Sequence, residues 1–297
     1  MDGVLNILKP PGMTSHDVVG YIRRITGLRR VGHTGTLDPA AAGVLPICLG
    51  KGTRIAEYLQ ASDKSYRGEI YFGITTDTQD ATGRIIAEAG SFQIPWSQVE
   101  KAAKDFEGSQ QQIPPMVSAV KIKGQPLYKW AHRGEEIARP PRRITVYRLQ
   151  FRDPPALITK GSRVLFDIDC SKGTYVRTIC HDLGQRLGTG AHLSFLLRTK
   201  TGPCTLEQAV TLEEVAADYR RHLLPMDEVL SFPAIYLDGN QARKVLNGVA
   251  IPLQGETGLV RLYDRGGLFL AIGHIQSGIC APKKVLAEHG QITGEGN

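Results

Sequence analysis

Paired cysteines, long apolar runs and cofactor motifs are all missing from this chain of 297 residues. Its five cysteines (Cys48, Cys170, Cys180, Cys204 and Cys280) are scattered and have no CxxC spacing, which argues against a disulfide framework and against a structural zinc site. A reducing cytoplasm is the expected compartment. No apolar run approaches the length needed to span a bilayer, so no membrane segment is expected. The opening "MDGVLNILKPPG" has neither the basic region nor the apolar core of a secretory signal. There is no HExxH, no GxSxG and no carboxylate cluster of the magnesium-binding kind, and the glycine-containing stretches lack phosphate-loop spacing. The expectation is a protein that works without a cofactor and without a metal.

What the chain does contain is an ordinary globular composition, 41% hydrophobic and 22% charged, with enough length for two domains. The net charge of +7 is concentrated in one place. Between Lys121 and Arg152 nine basic residues stand against Glu135 and Glu136, with Tyr128, Trp130 and Tyr147 interleaved. A basic block with aromatics and no helical periodicity suits a polyanion such as nucleic acid, where phosphate contacts supply the affinity. A solvated face of mixed charge would be better balanced.

Local patterns give a coarse map. "HDVVGYIRRITG" spaces Val18, Tyr21, Ile22 and Ile25 as an amphipathic helix, with Ser15 as N-cap and Gly27 as stop. A second helix is expected from about residue 55 to 60. "SYRGEIYFG" alternates as a strand with Tyr66, Gly68, Ile70 and Phe72 on one side. "SQVEKAAKDFEG" carries a capping box, Ser97 with Glu100, and predicts a helix ending at Gly108. The stretch from about 109 to 152 predicts a basic insertion with strand fragments near 117–122 and 144–149. "RVLFDIDCSKGTYVRTICHDLGQRLG" predicts strand, turn and helix, which sets Tyr175 and Arg177 at a strand-to-helix junction. Beyond Phe232, short alternating runs split by "RGG" predict a hairpin in a small β domain, with the boundary between Leu230 and Phe232.

The most informative stretch is "GHTGTLDPAAAG", where a lone carboxylate, Asp38, is set among small residues. Asp followed by Pro and three alanines has the form of a helix N-cap with Pro at the first helical position. That reading leaves the preceding glycines and threonines unexplained, because glycine lets another backbone or a ligand come close. His33 alone reads as a satisfied core histidine or an exposed polar residue sooner than as a functional one.

Several long stretches, taken together, carry a resemblance. "LNILKPPGMTSHDVV", "RRVGHTGTLDPAAAGVLPICLGKGTR", "KSYRGEIYFGITTDTQDATG", "QQIPPMVSAVKIKGQPLYKWAHRG" and "CSKGTYVRTICHDLGQRLGTGAHLSFLLRT" are similar in order and spacing to the bacterial tRNA pseudouridine-55 synthases, the TruB family. The similarity runs from about residue 3 to 230, followed by a segment that resembles a PUA RNA-binding domain.

The resemblance implies an α+β pseudouridine synthase fold, with a mixed, largely antiparallel central sheet flanked by helices. It implies a catalytic domain over residues 1–230 and a small β-barrel-like PUA domain over 231–297. The implied reaction turns one uridine in the T loop of tRNA into pseudouridine without a cofactor, after the base is flipped out of its stack. Asp38 matches the catalytic nucleophile, acting at the ribose C1′, at the uracil C6 or through a glycal. Tyr66 matches the tyrosine that stacks on uracil, and Arg177 the arginine that pairs with the aspartate and lowers its pKa. Tyr175 and Leu196 match residues lining the uracil pocket, His33 a residue near the vacated stack, and Lys9 a lysine supporting the active-site loop. The implied partner is tRNA, held along its T arm and acceptor end by a monomer. Ala40, Ala42 and His132 depart from the family's usual residues. Two other readings compete: a tRNA-binding or folding module with a vestigial site, and a small-molecule enzyme using Asp38 as nucleophile.

Overall fold

The computed structural model describes residues 1–122, 124–131 and 133–288. Lys123, His132 and the C-terminal residues from 289 onward lie outside them, and with them one departure noted above and the end of the small C-terminal domain expected from the sequence.

The fold is α+β, built on a ten-stranded mixed sheet. Its main path runs, in spatial order, Leu223–Leu224, Gly3–Lys9, Ala42–Leu49, Ala191–Thr201, Lys64–Phe72, Arg163–Cys170, Arg142–Arg152 and Gly108–Gln112. The main-path neighbours pair antiparallel except one: Ala191–Thr201 runs parallel to Ala42–Leu49, with Leu197 opposite Ala42 and Arg198 opposite Gly43. That exception needs Gly43. Its φ is +112°, and a Cβ there would lie 2.2 Å from the Arg198 carbonyl oxygen.

The strands Gly3–Lys9 and Ala42–Leu49 are buried on both faces, and "VLPICL" is accordingly a continuous apolar run rather than an alternating one. The strand Lys64–Phe72 alternates as expected, burying Tyr66, Gly68, Ile70 and Phe72 on one side. Gly68 is fixed by its neighbour, because a Cβ would meet the Phe166 ring at 2.4 Å. Against this sheet pack the helices Ser15–Thr26, Trp96–Lys104 and Val176–Arg186, through Val18, Ile22, Val99, Ile179 and Leu183.

A five-stranded sheet begins at Ala234 and contains the expected hairpin, Gly258–Tyr263 with Phe269–Gln276. It is not isolated from the larger sheet. Val4, Val44, Ile55 and Leu59 share one apolar cluster with Ile272 and Leu286. No helix among the described residues is long and apolar enough to cross a membrane.

Four local expectations are corrected. The first helix is capped by Thr14, not Ser15: Thr14 and Asp17 form the reciprocal box, and Ser15 is the first helical residue, with its hydroxyl turned to Leu37. The helix at Trp96 follows Pro95 with no side-chain cap, so Ser97 and Glu100 make no capping box, and it stops at Lys104. Pro95 already sets the entry dihedral, and Gly108, with φ +89°, opens the next strand. Of the strand expected over 117–122 only Lys121–Ile122 forms. Finally, no helix follows Asp38. Pro39 and Ala40 form a single turn, closed by the Ala41 N–H on the Asp38 carbonyl at 3.0 Å, and the chain enters the sheet at Ala42.

Candidate active site

The loop that carries Asp38 leaves the short strand Val31–His33 and re-enters the sheet at Ala42. Two buried cations tie it to neighbouring backbone through carbonyl contacts. The Lys9 ammonium, with no exposed surface, donates to Pro10 (2.8 Å), Met13 (2.6 Å) and Pro39 (3.3 Å). Arg198 donates to Val44 (2.7 Å), Gly35 (3.2 Å) and Thr36 (3.4 Å). The Ser15 hydroxyl accepts the Leu37 N–H at 2.8 Å. A glycine-rich loop would otherwise be free to move; here its backbone is pinned on both sides of Asp38.

Asp38 forms part of the wall of a cavity of about 310 Å³. Tyr66, Tyr175, Leu196 and Arg177 also line it, so five of the seven residues singled out from the sequence converge. Lys9 acts from behind the loop, not in the cavity wall. His33 does not join them: its half-buried ring accepts the Gly35 N–H at 3.3 Å on Nδ1 and does not line the cavity.

Arg177 is in the first turn of the helix Val176–Arg186, with only 4% of its side chain exposed. Its Nη2 lies 3.3 and 3.4 Å from the two Asp38 carboxylate oxygens and donates to the Val117 carbonyl at 2.6 Å. Its Nη1 donates to Asp80 at 3.2 Å. Nε is buried with no hydrogen-bond partner among the described residues. One guanidinium is therefore shared between two carboxylates.

That sharing changes the expected electrostatics. Burial is the largest influence on Asp38 and pushes its carboxyl above the ordinary range; Arg177 and Lys9 oppose this, and the nearby Asp80 adds to it. Arg177 does pull the acid's pKa down, but burial outweighs it. Burial also pushes the Tyr66 hydroxyl up to about 12, although Arg198 sits beside it, so the phenol stays protonated near neutrality. Lys64, donating to the Gln60 and Ser62 carbonyls, is pushed down to about 8 by burial and by Arg198.

Sequence reasoning missed four residues of this site. Asp80 is one; Thr78 and Thr82 donate to its Oδ1 at 2.8 and 2.6 Å, leaving Oδ2 for Arg177. The threonine-rich "TTDTQDATG" was a signal that this loop folds around an acid. Arg198 and Lys64 line the cavity and stand in stretches already noted for their similarity. Gln112 is the fourth. Its buried amide accepts the Tyr175 N–H at 2.8 Å and donates to the Tyr175 carbonyl at 3.0 Å, locking the residue that precedes the Arg177 helix. Among the described residues no group of three or more His, Cys, Asp or Glu is arranged to hold a metal.

Comparison with known proteins matches the chain to one family. Residues 23–176 match the N-terminal domain of the TruB family pseudouridylate synthases. Residues 177–231 match the C-terminal domain of tRNA pseudouridylate synthase B, and 233–286 the C-terminal segment of pseudouridine synthase II TruB. The chain belongs to the TruB family. It is a pseudouridine synthase, an isomerase. It is 52% identical over 252 residues to the tRNA pseudouridine synthase B of Symbiobacterium thermophilum, covering 84% of this chain and 83% of that one. With the tRNA pseudouridine synthase B of Caldanaerobacter subterraneus subsp. tengcongensis it shares 44% identity over 289 residues, 96% of this chain and 99% of the relative. Among solved structures, a Cbf5–Nop10–Gar1 complex contains a chain that superposes with a TM-score of 0.75 at 28% identity, covering 97% of this TruB-family chain and 86% of the other. An H/ACA RNP bound to a substrate RNA containing 2′-deoxyuridine gives 0.73 at 26%, covering 96% and 85%.

Proposed function

We propose that the chain converts the uridine at position 55 of the tRNA T loop to pseudouridine, with Asp38 as the nucleophile. The observation that carries this is a single carboxylate, clamped by Arg177 on a pinned loop, at the wall of a cavity that also presents Tyr66 and Leu196. The reaction breaks the N1–C1′ bond and forms C5–C1′; the C5 proton leaves and N1 gains one, so no atom or electron is needed from a cofactor. Asp38 acts at C1′, at C6 or in assisting departure of the base through a glycal, and each route needs it ionised. Arg177 supplies the positive charge that favours the ionised form against burial.

The target base leaves its stack to reach Asp38, which costs a few kcal/mol that protein contacts offset. Tyr66 stacks on the extruded uracil as a neutral phenol, and Tyr175 and Leu196 complete the pocket. His33, outside the pocket, serves the vacated stack, and Lys9 keeps the Asp38 loop in place. The basic segment from Lys121 to Arg152 holds the tRNA backbone, and the C-terminal segment from about residue 231, as a PUA-like domain, holds the acceptor end. The protein acts as a monomer in a reducing cytoplasm, in keeping with five free, buried cysteines.

The test is tritium release from an unmodified tRNA transcript labelled at uracil C5, comparing wild type with Asp38→Asn, with the product mapped by carbodiimide-dependent primer extension. Release by wild type alone, with one stop in the T loop, is the expected result. Turnover by Asp38→Asn near the wild-type rate removes Asp38 from the mechanism, and tRNA binding without release by either protein favours a binding or folding role.

A further inference from the structure

The cavity beside Asp38 opens in two directions, and the two are electrostatic opposites. Across Gln60, Arg142 and Gly173 it continues into a second basin of about 360 Å³ that shares those three residues. This basin carries Arg142, Arg143 and Lys172. Its one acid, Glu57, is paired with Lys284 at 2.8 Å. Arg143 donates to the Ser109 hydroxyl, while Arg142 and Lys172 are exposed and have no ion-pair partner among the described residues. Lys64, on the near wall of the first cavity, has only carbonyl partners.

In the other direction Asp38 and Leu196 are shared with a narrow cleft of about 40 Å³. Ala40, Ala81, Phe195 and the second acid, Asp80, line that cleft, and no cation does. A strand whose nucleotide occupies the Asp38 cavity has a phosphate on each side of that nucleotide. A phosphate toward Asp38 and Asp80 meets two carboxylates that already share the single charge of Arg177, whereas one toward Arg142 and Lys172 meets unpaired cations.

We propose that the Arg142–Lys172 basin is a phosphodiester site for one of the two phosphates flanking the extruded uridine, and that it sets the direction in which the RNA strand leaves the cavity. The turn "SKGT" that positions Lys172 also leads into the Arg177 helix. The contact that fixes the strand and the contact that fixes Asp38 are thus only five residues apart. The inference rests on the RNA-substrate reading above and adds to it a named phosphate contact on one side of the target nucleotide.

The test uses a T-arm hairpin with a neutral methylphosphonate on one or the other side of the target uridine, bound to Asp38→Asn protein with and without Lys172→Gln. One of the two hairpins is expected to lose about fivefold in affinity against the Asp38→Asn protein, in the range of an exposed ion pair, and to lose nothing further against the double variant. For the unmodified hairpin, Lys172→Gln is expected to reduce the salt dependence of binding by the slope of about 0.7 that belongs to one single-strand phosphate. If both neutral linkages weaken the two proteins equally, or neither weakens them, the assignment is overturned. Failure of wild type to bind or convert the unmodified hairpin instead overturns the RNA-substrate reading itself.

Discussion

Removing the Gln112 amide is the sharpest probe of how the active site is held. In the wild type Gln112 makes two hydrogen bonds to one backbone residue, Tyr175, and is itself buried at 6% exposure. The two bonds are not equivalent. The Tyr175 carbonyl also accepts the Thr178 and Ile179 N–H groups at 3.1 and 3.3 Å, so it keeps partners when Gln112 is gone. The Tyr175 N–H has Gln112 alone among the described residues, and Gln112→Ala orphans it at a cost of about 1–3 kcal/mol. For a domain of this size each kcal/mol lowers Tm by about 2–4 °C. Rather than leave the group bare, the helix start is expected to shift toward water and to carry Arg177 with it. A displacement of about 1 Å at a reacting centre costs about a hundredfold in rate. Single-turnover tritium release should therefore fall by about ten- to a hundredfold, while tRNA affinity stays within about twofold, because the Gln112 side chain is itself buried. Gln112→Glu, which keeps one acceptor but cannot donate to the Tyr175 carbonyl, should fall between the two. A Gln112→Ala protein with a lowered Tm and an unchanged single-turnover rate refutes the reasoning: the clamp would then serve the fold and not the placement of Arg177.

The acid limb of the single-turnover rate should lie above the ordinary carboxylate range, since burial raises Asp38; Asp80→Asn should move it down and Arg177→Gln up, and opposite movements would contradict the assigned electrostatics. Lys9 is pushed down to about 8 in the folded state against 10.5 when exposed, so folding favours its neutral form and stability is gained as pH rises from 8 toward 10.5. Urea unfolding over that window should show wild type gaining on Lys9→Met by at most roughly 3 kcal/mol, and a gap independent of pH would deny the shift. Gly43→Ala forces a side chain onto the Arg198 carbonyl at φ +112° and should cost roughly 2–5 kcal/mol in thermal or chemical unfolding. A loss under about 1 kcal/mol would mean that the parallel strand pair yields easily.

Much of the architecture was legible because it rests on short-range periodicity. The alternation of Tyr66, Gly68, Ile70 and Phe72, the strand–turn–helix around Tyr175, and the hairpin split at "RGG" each follow from which side of an element meets the core. Where one residue type serves two local motifs, the sequence misled. Asp38 before Pro39 looked like a helix cap and is a turn entering a strand; Ser97 with Glu100 looked like a capping box and is none, because Pro95 already sets the helix entry.

Motif similarity picked out from the sequence alone five of the side chains that gather around the cavity, because Asp38, Tyr66, Tyr175, Arg177 and Leu196 each stand in a long matching stretch. It could not determine what those side chains experience. Asp80 reaches Arg177 across 97 residues of chain, Gln112 reaches Tyr175 across 63, and Arg198 reaches the Gly35 carbonyl across 163. A pKa depends on the sum of burial and of charges brought in by such distant segments, and that sum carried Asp38 upward where one arginine neighbour alone predicted the reverse. The sequence by itself thus determined five members of the site; the tertiary structure added the rest and decided their charge balance and the two unlike exits from the cavity, because these are properties of surfaces assembled from strands far apart in the chain.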